Sequence, residues 1–378
     1  MLGKLTFRRV IDIITRWVNT RKQRGRCEDM TLQEQVAKIQ PLDRETCEKA
    51  MKRWSSLAIP IHSLGKLQDV VIQIAGITRS SEIALDKKAL VVMCADNGVV
   101  KEGISQSGQE ITLVISENFL SHKATASIMC QAVGADIMPI DIGIAVDSKL
   151  DNRKVRYGTR NMAKEPAMTK EEVLEAITVG IDIVGELKEQ GYKIIATGEM
   201  GIGNTTTSSA ITAVLLEEAV EVVTGRGAGL SDEGHERKIA TIKKAIALHQ
   251  PDKDDVIDVL AKVGGLDIAG MMGLFLGGAI HQLPVVIDGF ISGVAALCAV
   301  SYHPTVKDYM IASHLSKEPA SQMILNALDL PGFLTCDMRL GEGTGAVTLY
   351  PIIDIAIAVY NSMSTFAENS MDEYIPYS

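Results

Sequence analysis

The stretch ALVVMCADNG, residues 89–98, decides the fold. Its apolar part, residues 89–95, lacks the polar alternation of a half-buried strand, and such a run is typical of a strand buried on both faces of a parallel sheet. Asp96 ends the run, and the Asn97-Gly98 pair predicts a turn. The stretch therefore predicts a central parallel strand whose carboxyl end carries a polar side chain.

Similar apolar runs that end in polar turns recur at residues 136–146, 193–198 and 283–287. Segments with helical periodicity accompany these runs at residues 115–133, 170–190, 206–223 and 236–248. Strands that alternate with helices build a parallel sheet that is covered by helices on both faces. The sequence therefore predicts an α/β protein with a doubly wound parallel sheet.

Three of the predicted strands are followed directly by an acidic residue, namely Asp96, Glu199 and Asp288. Open α/β sheets bind ligands in the crevice at the carboxyl ends of their strands, so position makes these carboxylates candidates for a ligand site. The alternative is structural, because an acidic residue at the start of a helix can cap it. The pattern leaves both interpretations open.

The stretch GEMGIGNTTT, residues 198–207, follows a predicted strand and opens a predicted helix. Free backbone amides and the dipole of such a helix start favour an anion, and the threonine hydroxyls add donors. The stretch lacks the Gly-Lys-Ser/Thr ending of a Walker loop and the GxGxxG spacing of dinucleotide folds. It predicts an anion site, with a simple tight turn as the alternative.

A second glycine-rich stretch, MRLGEGTGA at residues 338–346, isolates Glu342 between glycines. A carboxylate with so little neighbouring bulk is suited to taking a proton from a bound ring nitrogen or hydroxyl. The alternative is a solvated glutamate in a turn before the helical run that begins at Ala346.

Three further features carry weaker signals. Lys238 follows the glycine loop VTGRGAGL, residues 223–230, and could either supply charge to a phosphate or lie on a solvated helix face. GGLDIAGM, residues 264–271, predicts close packing of a glycine turn and an apolar helix. SHLSKEP, residues 313–319, offers hydroxyls to a phosphate or ribose, and its His314 is a weak candidate base because no GxSxG elbow accompanies it.

Composition excludes several classes of protein. With 46% hydrophobic and 22% charged residues, the 378-residue chain is typical of a globular enzyme. A net charge of −9 and only 4% aromatic residues argue against nucleic-acid binding. The six cysteines form no CxxC pair and the seven histidines no HxH or HxxxH pair, so neither a disulfide framework nor a metal site is expected.

No long apolar run is free of charges and glycines, so stable membrane insertion is not expected and the predicted compartment is the cytoplasm. Residues 1–29 differ from the rest, because basic residues surround an apolar stripe of Leu5, Val10, Ile11, Ile14 and Val18. A basic amphipathic helix can contact an anionic membrane or a partner helix. The alternative is an N-terminal extension, or a start placed too early, before Met30.

Six motifs together resemble the nicotinate-nucleotide:dimethylbenzimidazole phosphoribosyltransferase family. They are ADNGV (95–99), SGQEIT (107–112), GEMG with NTT (198–206), VGGLD (263–267), DGF (288–290) and RLGEG (339–343). The resemblance implies a homodimer with a Rossmann-like large domain, residues 86–345. It also implies a small helical domain from both chain ends, residues 30–85 with 346–370, after a basic extension of residues 1–29.

The resemblance implies an enzyme that moves phosphoribose from nicotinate mononucleotide to dimethylbenzimidazole or a similar lower-ligand base of cobamides, without a cofactor. The products are nicotinate and α-ribazole 5′-phosphate. Glu342 matches the catalytic base, and Glu199 matches the acidic residue implicated beside it. The other matched positions are substrate-binding: Ser107 in the base pocket, Lys238 and Ser316 beside the phosphate, and Asp96, Gly201, Gly203, Asn204, Thr205, Asp288, Gly341 and Gly343.

The chain departs from the family pattern in two places. Asn97 replaces the histidine of the usual ADHG motif, and IPIHSLG at residues 59–65 replaces KPPGSLG. Both departures bear on selectivity for the base more than on the type of reaction. Two alternatives therefore stay open: a subunit of a heteromer with a paralogue, and an enzyme that uses a phenolic, benzimidazole or purine acceptor.

Overall fold

The computed structural model describes residues 31–374. The chain divides into two units, Met1–Lys38 and Ile39–Ser378. In the first unit the described part contains helix α1, Leu32–Val36, which begins with a capping box between Thr31 and Glu34. The predicted basic extension, residues 1–29, lies outside the described residues.

The described part of the second unit contains a six-stranded sheet. Its strands are β1 (Lys88–Ala95), β2 (Asp136–Gly143), β3 (Asp151–Asn152), β4 (Ile194–Met200), β5 (Val285–Ile287) and β6 (Met310–Ala312). All neighbouring strands are parallel, in the order β3-β2-β1-β4-β5-β6. This is the strand order of Rossmann folds, so the predicted doubly wound, Rossmann-like sheet is confirmed.

Helices cover this sheet. They are α2 (Arg44–Ser56), α3 (Lys66–Thr78), α4 (Glu110–Leu120), α5 (Thr125–Val133), α6 (Lys170–Glu189), α7 (Asn204–Leu215), α8 (Val220–Val223), α9 (Asp232–His249), α10 (Val256–Val263), α11 (Leu266–His281), α12 (Phe290–Tyr302), α13 (Ser321–Leu328) and α14 (Thr344–Ser362). Short 3₁₀ helices span Gly98–Glu102 and Pro304–Tyr309.

Strand β1 is the central strand that its sequence predicts. Every residue of β1 is buried, and the strand pairs with β2 on one side and β4 on the other. The chain first builds the sheet from β1 towards β3 and then returns to add β4 on the opposite side. Ligands of such folds bind near this reversal, at the carboxyl ends of the strands.

Two of the predicted helices are wrong in length. The segment 115–133 contains the end of α4 and all of α5, with His122 at a φ of 55° between them. The segment 206–223 likewise divides into α7 and α8, with Glu217 at a φ of 54° between them. A residue with positive φ cannot continue a right-handed helix, so each helix stops there.

The C-terminal helix α14 is part of the core behind β1. The Tyr350 hydroxyl donates a hydrogen bond to the carbonyl of Ala89 at 2.7 Å, and Lys88 forms an ion pair with Asp354 at 2.8 Å. Residues of α2, α3 and α14 belong to the same hydrophobic cluster as residues of β1 and β4. Both chain ends thus support the sheet, while the boundary of a separate small domain stays a prediction.

In the part of the chain that the structure describes, α14 is long and apolar enough to cross a membrane by length and composition alone. However, 56% of its apolar window is buried inside the protein, and Asp354 lies within it. The core helix of a globular protein has the same properties, so this helix is weak evidence for a membrane span.

Candidate active site

A cleft of about 300 Å³ opens at the carboxyl edge of the sheet, over the ends of β4, β5 and β6. The glycine loops before α7 and α9 and the turn before α14 form its walls. Ten of the site residues predicted from the sequence line this cleft: Glu199, Gly201, Gly203, Asn204, Thr205, Lys238, Asp288, Ser316, Gly341 and Glu342. The fold therefore gathers these residues in one place, and their roles stay predictions.

Glu342 reaches the cleft because the backbone around it has three consecutive positive φ angles. The φ angles of Gly341, Glu342 and Gly343 are 86°, 61° and 88°. A Cβ on Gly341 would clash with Oε1 of Glu199, and a Cβ on Gly343 would clash with Leu90 in β1. The two glycines are therefore required by the turn that presents Glu342.

The carboxylate of Glu342 lies at the start of α5. Its Oε2 accepts a hydrogen bond from the backbone amide of Ala126 at 3.4 Å. Burial raises the pKa of Glu342, the bond from Ala126 opposes this, and the charge of Asp288 raises it further. A half-buried carboxylate whose pKa is raised binds a proton more tightly and is suited to act as a general base.

Glu199 lies near the end of β4 and is bridged to Asp267 by Asn204. The side-chain amide of Asn204 donates one hydrogen bond to Glu199 Oε2 and another, at 3.0 Å, to Asp267 Oδ2. Burial, assisted by the charge of Asp267, raises the pKa of Glu199 to about 8. Burial likewise raises the pKa of Asp267 to about 6. Two carboxyls that share one amide donor are coupled, and their raised pKa values favour one proton on the pair at neutral pH.

Asp288 caps a helix that is distant in the sequence. Its Oδ1 accepts hydrogen bonds from the amides of Gly345 at 2.8 Å and Ala346 at 3.0 Å, and its Oδ2 accepts one from Gly343 at 3.2 Å. The helix that it caps is α14, not α12, which follows Asp288 in the chain. Burial raises the pKa of Asp288, and the charge of His314 opposes this. Asp288 therefore fixes the turn before α14 as well as lining the cleft.

The opposite side of the cleft contains a buried lysine. Lys238 Nζ donates hydrogen bonds to Thr205 Oγ1 at 2.8 Å and to the carbonyl of Gly225 at 3.1 Å. Burial lowers the pKa of Lys238 to about 8, against the charge of Glu318. Thr205 lies in the first turn of α7, where the helix dipole favours an anion, and Ser316 lines the same cleft.

We call Glu199, Asp288 and Glu342 the acidic half of the cleft. Lys238, Thr205 and Ser316 form the lysine half. The first group can exchange protons, and the second can hold an anion.

Three residues predicted for the site do not line the cleft. Asp96 is buried at the end of β1, where its Oδ2 accepts a hydrogen bond from the amide of Ala145 at 2.8 Å. Ser107 is half-buried in the loop before α4, and its amide donates to the cleft-lining Ser105 at 3.3 Å. Gly343 lies within the turn before α14. Asp96 lies outside the lining of the cleft because the cleft lies over β4 to β6 and not over β1.

Sequence reasoning missed or underestimated several residues. The glycine stretch 264–271 does pack closely as predicted, since a Cβ on Gly270 would clash with Ile142 in β2. However, Asp267 at the start of α11 also reaches the cleft network. His314 lines the cleft with its Nδ1 at 2.9 Å from Ser313 Oγ, and Arg226 and Arg339 line it as well. The available signal for Asp267 was an acidic residue in the first turn of an otherwise apolar helix.

A Rossmann-like sheet whose cleft sets buried carboxyls opposite a buried lysine is the architecture of an α/β enzyme that acts on a small charged molecule. Within residues 31–374, no group of three His, Cys, Asp or Glu side chains is placed to hold a metal ion.

Comparison with known proteins specifies the class further. A family model described as phosphoribosyltransferase matches residues 39–371. The nicotinate-nucleotide–dimethylbenzimidazole phosphoribosyltransferase of Ruminiclostridium cellulolyticum is 46% identical over 352 residues, 92% of this chain and 99% of that protein. The protein of the same name from Acetivibrio thermocellus is 48% identical over 341 residues, 89% and 97% of the two chains.

A solved structure leads to the same family. The nicotinate-nucleotide–dimethylbenzimidazole phosphoribosyltransferase of Thermus thermophilus is similar with a TM-score of 0.81 and 36% identity, over 88% of this chain and 100% of that chain. The chain belongs to the nicotinate-nucleotide–dimethylbenzimidazole phosphoribosyltransferase family. The resemblance found in the six sequence motifs is thereby confirmed.

Proposed function

We propose that this enzyme transfers the phosphoribosyl group of nicotinate mononucleotide to dimethylbenzimidazole or a similar aromatic base. The products are nicotinate and α-ribazole 5′-phosphate, the nucleotide portion that a cobamide requires for its lower ligand. The names of relatives that this chain matches over 97–99% of their length support the proposal. The observation that carries it is the carboxylate of Glu342 inside a cleft that also contains a buried lysine.

The transfer exchanges one nitrogen for another at C1′ of the ribose. The bond from C1′ to the pyridinium nitrogen breaks, and its electron pair neutralises the ring of the departing nicotinate. A ring nitrogen of the acceptor forms the new bond from the opposite face, so the configuration inverts from β to α. The acceptor ring stays cationic until its other N–H loses a proton to Glu342. General-base catalysis of this kind contributes roughly 10²–10⁴-fold to a rate.

The lysine half anchors the nucleotide in this proposal. Lys238 supplies charge to the 5′-phosphate, while Thr205 and Ser316 supply hydroxyl donors. Gly201 and Gly203 let the loop before α7 pack closely against the protein, since a Cβ on Gly201 would clash with the carbonyl of Ala95 and one on Gly203 with Val100. Binding energy from this remote group then orients the reacting carbon between the two rings, and orientation supplies much of the remaining acceleration.

We also propose that the enzyme acts as a homodimer in the cytoplasm on small molecules, without nucleic acid or a membrane as a partner. The resemblance to the family supports the oligomeric state. Light scattering after size exclusion, with an activity assay on the same fractions, tests it. An inactive chain that regains activity with a paralogous protein would instead support a heteromer.

The activity itself is tested with the purified full chain, nicotinate mononucleotide and dimethylbenzimidazole. Liquid chromatography with mass spectrometry should show nicotinate and α-ribazole 5′-phosphate in equal amounts. A competition among dimethylbenzimidazole, an unsubstituted benzimidazole, adenine and a phenol ranks the acceptors. Release of nicotinate without any ribosylated base, or no release at all, would contradict the proposed transfer.

A further inference from the structure

A buried network extends from Glu199 in the acidic half of the cleft into the protein, and the transfer described above gives it no role. It consists of Glu199, Asn204 and Asp267, with Asn97 beyond Asp267. We propose that Asp267 is a positioning residue: it holds the single proton of the Glu199–Asp267 pair and thereby leaves Glu199 ionised towards the cleft.

The hydrogen-bond partners of Glu199 suit a carboxylate. Its Oε2 accepts from the side-chain amide of Asn204, and its Oε1 accepts from the backbone amide of Glu342 at 3.4 Å. Both oxygens therefore face donors. A carboxylate only accepts hydrogen bonds, whereas a protonated carboxyl would turn an O–H towards one of these donors.

The surroundings of Asp267 suit a protonated carboxyl. Its Oδ2 accepts from Asn204 at 3.0 Å. Within the described part of the chain, its Oδ1 has no hydrogen-bond partner, and neither does Oδ1 of Asn97. A Cβ built on Gly265 would lie 2.5 Å from Asp267 Oδ1 and 2.7 Å from Asn97 Oδ1. The two oxygens therefore border the same small space. A proton on Asp267 Oδ1 supplies the donor that both oxygens lack.

Burial and like charge both favour a neutral form of one of the two carboxyls. Asp267 is fully buried and Glu199 is 7% exposed. The charged groups that face them are also acidic: Asp96 raises the pKa of Asp267, and Asp288 raises that of Glu199. The pKa of Glu199 is raised to about 8 and that of Asp267 to about 6, with the backbone amide of Ile268 opposing the rise at Asp267, and this difference favours Glu199 as the holder of the proton. The two unpartnered oxygens beside Asp267 favour Asp267 instead.

An ionised Glu199 has a use in the proposed transfer, and this part of the inference rests on the proposed function. The ribosyl carbon gains positive charge as nicotinate departs. The fixed negative charge of Glu199 stabilises the positive charge on the ribosyl carbon, and it does so more in the transition state than in the ground state. Asp267 contributes without contacting the substrate, since it acts through Asn204.

Carbon-13 NMR locates the proton without any assay of activity. Two samples of the full-length protein are prepared, one with labelled aspartate carboxyls and one with labelled glutamate carboxyls. We expect a protonated carboxyl signal at pH 7 in the aspartate sample that is missing in the Asp267→Asn variant. A protonated signal in the glutamate sample that is missing in Glu199→Gln would overturn the proposal, as would the absence of any protonated carboxyl assigned to this pair.

Matched carboxyl-to-amide substitutions test the consequence for turnover. The asparagine of Asp267→Asn reproduces the protonated aspartate, since its amide can donate to Asn97 while its oxygen accepts from Asn204. We expect Asp267→Asn to lower kcat, but by less than Glu199→Gln does. Glu199→Gln removes the charge and places an amide against a donor, and we expect kcat to fall about 10²-fold. A larger loss of kcat in Asp267→Asn than in Glu199→Gln would overturn the assignment of the proton to Asp267.

The pH profile of kcat at saturating nucleotide separates positioning from a merely structural role. In the natural enzyme kcat should fall as pH rises through about 8, where the pair loses its remaining proton. This decline should be absent in Asp267→Asn, which has no such proton to lose. An unchanged decline in that variant would contradict the proposal. The NMR result does not depend on nicotinate mononucleotide being the substrate. A failure of the proposed function can therefore be distinguished from a failure of the proton assignment.

Discussion

The two halves of the cleft respond to the same burial in opposite ways. Burial raises the pKa of Glu199 to about 8 and that of Glu342 above its usual value, and it lowers the pKa of Lys238 to about 8. In each case burial disfavours the charged form. Glu342 thereby binds a proton more tightly, which suits a general base, whereas a bound anion favours the charged form of Lys238. The acidic half should therefore control kcat, and the lysine half should control affinity for the nucleotide.

The largest effect is expected from Glu342→Gln. The glutamine cannot take the proton of the acceptor ring, so kcat should fall roughly 10²–10⁴-fold. Calorimetric binding of nicotinate mononucleotide should change by no more than about twofold, because the lysine half is intact. Steady-state kinetics and titration calorimetry measure the two quantities.

Glu48→Gln, at an exposed position of α2, is the matched control. It should leave both kcat and the affinity for nicotinate mononucleotide unchanged. Normal turnover in Glu342→Gln would contradict the proposal that the acidic half controls kcat.

Lys238→Met should give the next largest effect, and this effect should be on the affinity for the nucleotide. Loss of a charged donor to the phosphate should weaken nucleotide binding about 10²-fold, with kcat at saturation nearly unchanged. In the natural enzyme affinity should also decline as pH rises through about 8, where the empty cleft loses the lysine charge. The variant should lack that decline.

Lys244→Met, at an exposed position of the same helix, is the control. If Lys238→Met lowered kcat and spared affinity, the division of labour between the two halves would be wrong.

The sequence predicted what depends on local patterns. The apolar run of β1 and the acidic residues after the strands are such patterns, and they gave the sheet and most of the cleft. By contrast, Asp288 caps amides 55 to 58 positions further along the chain, and Asn204 reaches an aspartate 63 positions away. Only the closed fold brings these groups together. The break at His122 was missed for another reason, because no glycine or asparagine marks its positive φ.

The opposite pKa shifts also predict opposite effects of pH on stability. The Glu199–Asp267 pair binds protons more tightly in the folded state, so its contribution is lost as pH rises from about 5 to about 8. We expect the free energy of unfolding to fall by several kcal/mol over this range. The lowered pKa of Lys238 acts in the other direction above pH 8, because the unfolded lysine binds a proton more tightly. Burial raises the pKa of the Cys94, Cys130 and Cys298 thiols, so these three groups lower stability over the same range and offset the lysine.

Urea denaturation of the ligand-free protein from pH 5 to pH 10 measures this profile. Asp267→Asn should flatten the decline below pH 8, and Lys238→Met should make stability fall more steeply above pH 8, because the contribution of the lysine is lost. A profile that rises steadily from pH 5 to pH 8 would show that the pair is ionised in the folded protein.

The smallest effect is expected at Ser107, which was predicted for the base pocket but lies outside the cleft lining. Its loop borders the cleft through Ser105 and Gln106. Ser107→Ala should therefore change kcat/KM for the acceptor base only about threefold and leave nucleotide affinity unaltered, because at most one neutral hydrogen bond is lost. Ser105→Ala removes a hydroxyl that does line the cleft, and it should have the larger effect. A complete loss of base use in Ser107→Ala alone would mean that the loop rearranges on binding to bring Ser107 inward, and a third, mobile region would then have to be added to the two halves.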